Sequence, residues 1–150
     1  MTASAPIAVP ASDATPADIP VRLAARAVDV AVVGALAVAL GRVIGFGFDW
    51  LLVGAALIWL YFAGLTAALG ATLGKLAFGL RVVDENGRSP SPAQSLKREG
   101  FTVAGAVPFV GPIVAAGLWI WFLVVIRHSP LRQGPHDAFA GGTRVVRRSR

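Results

Sequence analysis

Arg22, Arg26 and Asp29 lie close together in one stretch of apolar sequence, with Asp29 seven residues after the first arginine and three after the second. At about 100° per residue a helix places Arg22 on the face of Asp29 and makes Arg26 its nearer neighbour. A carboxylate inside a bilayer-spanning helix costs roughly 2.5–3.5 kcal/mol on insertion scales, so something must compensate it. Two readings stay open. Asp29 is a proton, ion or substrate site, or it forms an Arg–Asp pair near the interface that orients and packs the helix. Lys97, Arg98 and Glu99 form a second polar cluster. Either one of them faces inward and meets Asp29, or all three anchor at the interface by snorkelling.

His136-Asp137 is a third candidate, since such a pair can belong to a metal or catalytic site. Zinc needs three or four ligands, and the chain has only His128 besides. No metal, no cofactor and no enzymatic activity are therefore expected. Gly70-Ala71-Thr72-Leu73-Gly74-Lys75-Leu76 mimics a phosphate loop. It is one residue short, and Leu76 stands where Ser or Thr would bind magnesium. Packing is the better explanation of its glycines: Gly41, Gly45, Gly54, Gly70, Gly74 and Gly117 are expected to let helices approach closely.

The elements that must position these residues are mostly apolar. Of the 150 residues, 55% are hydrophobic and 15% charged, against roughly 25% charged in soluble domains. That is too little charge to coat a water-soluble surface. Residues 21–44 and 50–69 each suffice to cross a hydrocarbon core of roughly 30 Å. The turn between them carries Phe46, Phe48 and Trp50, which suit a headgroup interface. A polar connector covers residues 70–95, with an alternating Leu80-Arg81-Val82-Val83 run and an Asn86-Gly87 pair typical of a hairpin turn. Ser91 is the expected N-cap of the next helix.

The last apolar region, 101–126, is too short for two full spans. The helix-competent residues before it and the breaker at 108–112 divide it into helices over 92–107 and 111–127. The expected fold is thus an all-α integral membrane bundle of four transmembrane helices, or three if this region is one kinked helix, with a short cytoplasmic β-hairpin in the connector. Residues 1–18 read as a disordered tail that stays on the mature protein, 19–146 as the membrane domain and 147–150 as a basic tail.

Net charge is +6, and its placement follows topology rather than nucleic-acid binding. Basic residues precede the first span, fill the connector and follow the last apolar region. The positive-inside rule puts all three groups in the cytoplasm, which requires an even number of crossings. The chain is expected in the inner (cytoplasmic) membrane, multi-pass, with both termini cytoplasmic. With no cysteine there is neither disulfide nor thiolate chemistry.

Taken in order, these motifs resemble the RDD family of bacterial membrane proteins. Arg22-Leu23-Ala24-Ala25-Arg26-Ala27-Val28-Asp29 is similar to the family's first-helix opening. Its connector resembles Gly70-Ala71-Thr72-Leu73-Gly74-Lys75 and the run from Gly79-Leu80-Arg81 to Asn86-Gly87. Arg98 is similar to the arginine at the next helix start, and His136-Asp137-Ala138-Phe139-Ala140-Gly141-Gly142-Thr143-Arg144-Val145-Val146 to the closing motif. The resemblance spans about 19–146.

It implies that Arg22, Asp29 and Asp137 are the residues for which the family is named. A physical model follows in which Arg22, Asp29, Arg98 and Asp137, with Arg26 and His136 beside them, converge at the cytoplasmic mouth of the bundle. Arg81-Val82-Val83 pairs there with Thr143-Arg144-Val145-Val146. Two functions are expected from it. One is transport of a small ion or solute, in a homo-oligomer. The other is a non-transporting component that binds lipids or other membrane proteins, its charged residues serving structure.

Overall fold

The structure is a computed structural model that describes residues 15–102 and 111–147. It is mostly helical. Helix α1 (Ile19–Ile44) and helix α2 (Phe48–Leu69) are long and apolar enough to cross a membrane. Pro20 suits the first turn of α1, where its missing N–H loses no bond. Gly45, at φ 84°, ends α1, and Gly70, at φ 68°, ends α2 in the left-handed conformation. Trp50 Nε1 donates to the Ala37 carbonyl at 2.7 Å and ties the two helices near their shared turn.

These helices are not the core of a soluble domain. Val30, Leu36, Val38, Leu52, Leu57 and Leu60 are all exposed, and only a fifth or so of each apolar window is covered. Contiguous apolar surface of that extent belongs against lipid.

Past α2 come the short helices α3 (Leu73–Ala77) and α4 (Pro92–Glu99), with strand β1 (Leu80–Val83) between them. Ser91 caps α4 as expected. Its hydroxyl accepts from the Gln94 N–H, and the Gln94 side chain accepts from the Ser91 N–H. Residues 100–102 add a tighter 3₁₀ turn. The remainder of the expected 92–107 helix and most of the breaker lie outside the described residues. Helix α5 (Gly111–His128), helix α6 (Pro135–Phe139) and strand β2 (Arg144–Arg147) complete the chain. Helix α3 packs on α1, and α4 on α2.

The hairpin expected in the connector does not form. Asp84 does close a tight turn, its carboxylate accepting from the Asn86 and Arg88 N–H groups. Beyond that turn Pro90 and Pro92 begin the capped helix α4 instead of a return strand. The partner of β1 is β2, antiparallel, with Arg81 opposite Val146 and Val83 opposite Arg144. This is the pairing the closing motif suggested. Residues 15–17 join from the other side of β2: the Ala17 N–H donates to the Val145 carbonyl and the Arg147 N–H to the Thr15 carbonyl. Residues 15–18 therefore belong to the folded unit, not to the tail, because they satisfy the open edge of β2. Arg147, assigned to the basic tail, lies within β2. Residues 1–14 and 148–150 lie outside the described residues.

Ala17, Ala25, Leu80, Val82 and Val145 form a small core between the sheet and the start of α1. The sheet thus gathers the entry to α1, the connector and the chain's end into one layer beneath the helices.

Candidate functional site

Asp29 is completely buried, and no cation stands within ion-pairing distance of it among the described residues. Three donors compensate it instead. The Tyr61 hydroxyl donates to Oδ1 at 2.9 Å, the Gly74 N–H to the same oxygen at 2.8 Å, and the Thr72 hydroxyl to Oδ2 at 2.5 Å. The expected Arg–Asp pair is thereby corrected. Helix spacing put Arg22 and Arg26 near Asp29, but α2 and the start of α3 supply closer donors from distant parts of the chain.

The apparent phosphate loop now has a structural explanation. Gly70 terminates α2, and Thr72 stands at the N-cap position of α3 but gives its hydroxyl to Asp29. Gly74 lets α3 touch α1: a Cβ there would lie 2.0 Å from the Ala25 carbonyl oxygen. The other glycines do not share this role. A Cβ at Gly54 or Gly117 would meet nothing within 4 Å, and Gly41 makes room for the Phe46 ring rather than for another helix.

Arg98 does not meet Asp29 either. From the buried face of α4 it pairs with Asp137 Oδ1 at 2.5 Å and donates to Thr143 Oγ1 at 3.2 Å. Asp137 is completely buried and also accepts from the Gly134 N–H at 2.9 Å and the Thr143 hydroxyl at 3.2 Å. Burial opposes its charge. Arg98, His136, the Gly134 N–H and Arg22 outweigh burial and hold the carboxyl below its usual range. Lys97 is exposed, so of the second cluster only Arg98 and Glu99 face inward.

Arg22 donates to the Val145 carbonyl at 3.0 Å, which locks α1 onto β2. The Arg26 guanidinium lies 3.8 Å from the centre of the Phe62 ring and 4.7 Å from that of Trp119, and 3.7 Å from Glu99 Oε2. Glu99, itself buried, stands between Arg26 and Arg98, 3.6 Å from the latter's Nε. His136 stacks against Phe122, ring centres 4.6 Å apart, with Nε2 3.7 Å from Asp137. Burial pushes the imidazole down to about 4, Asp137 only partly opposing this, so it is neutral at pH 7.

These residues surround one cavity of about 60 Å³, lined by Arg22, Arg26, Asp29, Lys75, Arg98, Glu99 and His136 and walled by Leu23, Phe101, Trp119, Leu123 and Ile126. Asp137 lies behind Arg98. A polar cluster at the base of α1, roofed by α3 and α4 and closed by the His136-Asp137 turn, reproduces the order of motifs in the sequence.

The family model of the RDD family matches residues 16–141. The chain belongs to the RDD family. No curated protein and no solved structure matches it. Within this RDD chain, Tyr61 had no mark in the sequence. Thr72, Lys75 and Thr143 stood inside the connector and closing motifs, but nothing local assigned them to Asp29, the cavity and Asp137.

Proposed function

We propose that this RDD protein is a multi-pass protein of the cytoplasmic membrane that holds a binding site at the cytoplasmic end of its bundle and does not conduct ions. The observation that carries this reading is the closure of Asp29. A fully buried carboxylate that accepts three hydrogen bonds has little capacity left for a passing ion. Tyr61 and Thr66, polar groups of α2, lie toward its Asp29 end. Beyond them a small cleft between α1 and α2 is lined by Val33, Leu36, Ala37, Leu40, Gly54, Leu57 and Ile58. A transport path needs polar groups through the bilayer, and these residues offer none.

The sheet supports the orientation. Residues 15–17, β1 and β2 share one layer, so the start of α1, the connector after α2 and the chain's end lie on one side. With both ends of the described chain on one side, the total number of crossings is even, as in a four-helix arrangement. The basic content of these segments puts that side in the cytoplasm.

The test is flux. Purified protein in liposomes, under imposed Na⁺, K⁺ and H⁺ gradients, is expected to match protein-free vesicles. Flux in wild type that vanishes in a folded Asp29→Asn variant would overturn the proposal in favour of transport.

A further inference from the structure

Among the described residues, five buried polar atoms on the cavity lining have no hydrogen-bond partner: the Nε of Arg22, Arg26 and Arg98, the Nδ1 of His136, and one acceptor, Glu99 Oε2. Arg98 is 3% exposed and Glu99 2%. A guanidinium Nε–H can only donate, and a buried donor without an acceptor is destabilising. Three such donors around one space are a deficit of acceptors. Lys75 adds an ammonium with no ion pair within 4.0 Å among the described residues. Four cations line the cavity against two carboxylates, and with Asp137 counted the balance is still positive.

The free volume, about 60 Å³, is several times the roughly 10–15 Å³ that one water requires. Its wall is not polar. Leu23, Trp119, Leu123 and Ile126 come from α1 and α5, and Leu23 is 41% exposed on the face that would meet lipid. A cationic floor with an apolar flank between two membrane helices fits a molecule with an anionic head and a hydrocarbon tail. Guanidinium edges bind carboxylate and phosphate bidentately, and of the two the phosphoryl group is the one that membrane phospholipids carry as a class.

We propose that the cavity binds a phosphoryl group, that of an anionic membrane phospholipid, with Arg22, Arg26, Lys75 and Arg98 as its cationic ligands. This rests on the reading of the chain as a membrane protein with a cytoplasmic-side binding site. The apolar flank favours a lipid over free phosphate as the source of the group.

The experiment is native mass spectrometry of the full chain released from detergent micelles, titrated with phosphatidylglycerol, with phosphatidylcholine of the same acyl chains, and with inorganic phosphate. One phosphatidylglycerol is expected to bind at least tenfold more tightly than phosphatidylcholine. Lys75→Gln is expected to weaken it about tenfold, while Lys97→Gln, at an exposed position, changes it less than twofold. Arg26→Gln is a second variant, accepted only if its circular dichroism matches wild type. Inorganic phosphate that binds as tightly, with the same dependence on Lys75, would overturn the lipid source. No preference among lipids, or a preference indifferent to Lys75 and Arg26, would overturn the site itself. Flux measured on the same preparations separates the two proposals. Ion flux with Lys75-dependent lipid binding refutes the non-conducting reading alone, and absent flux with unselective binding refutes the lipid site alone.

Discussion

Gly74 sits so close to Ala25 that a methyl group at position 74 would stand 2.0 Å from the Ala25 carbonyl oxygen and 2.9 Å from Cγ of Asp29. The obstructing atom belongs to helical backbone, which cannot yield as a side-chain end can. Gly74→Ala must push α3 away from α1 and break the Gly74 N–H bond to Asp29. We expect it to destabilise the protein by about 3 kcal/mol, at the upper end of overpacking effects. Chemical denaturation in detergent micelles measures this. Gly54→Ala, where the space is open, is the control and should change little.

The Asp29 clamp predicts a graded series. Asp29→Asn keeps the shape but turns one acceptor into a donor facing Thr72, Tyr61 or Gly74. A cost of about 2 kcal/mol is expected from the group left unsatisfied. Thr72→Val removes one donor and should cost about 1 kcal/mol, and the double variant less than the sum, since both changes act on one bond. Full additivity would show that Thr72 does not serve Asp29.

The buried Arg98–Asp137 pair should be costly to halve. Removing either partner leaves the other buried without its closest counterion, and about 3–5 kcal/mol is expected for Arg98→Met or Asp137→Asn. The double variant should lose less than the sum of the two single losses, and a full sum would refute the pairing.

His136 predicts acid sensitivity. Its folded pKa, about 4, lies below the unfolded value near 6.5 because burial disfavours the imidazolium. The unfolded chain therefore binds the proton first, and stability falls as pH drops from about 6.5 to about 4. Asp137, also lowered, acts in the same direction below its usual carboxylate range. A denaturation midpoint measured from pH 7.5 to 4.5 should fall steadily in wild type. His136→Phe, which keeps a ring beside Phe122, should flatten the upper part of that decline. Unchanged slopes would mean that His136 is solvated.

Orientation can be read by labelling, because the chain has no native cysteine. Glu85→Cys and Ala138→Cys, both exposed, should react with impermeant maleimide only when the cytoplasmic face is open. Gly47→Cys, in the turn between α1 and α2, should react from outside. Reaction of positions 85 and 138 from opposite sides would refute the even number of crossings.

The sequence by itself determined the parts of this protein that depend on local composition and period. Two predominantly apolar stretches long enough to cross the hydrocarbon core became α1 and α2. The Ser91 and Gln94 capping box began α4. Asp29 was visible as a charge in an apolar stretch, and Arg98 and Asp137 through motifs that resemble the family's. Their partners were not visible. Helix spacing ranks only neighbours on the same helix, so it offered Arg22 and Arg26 to Asp29. The burial cost of that carboxylate is met from α2 and α3, 32 to 45 residues away. The hairpin failed for the same reason: the Asn86-Gly87 turn is local, but the partner of β1 was decided by where α5 and α6 return the chain. Tertiary structure alone chose which charge meets which, because a buried charge is stabilised by whatever donor packing brings within 3 Å, however far along the chain it comes from.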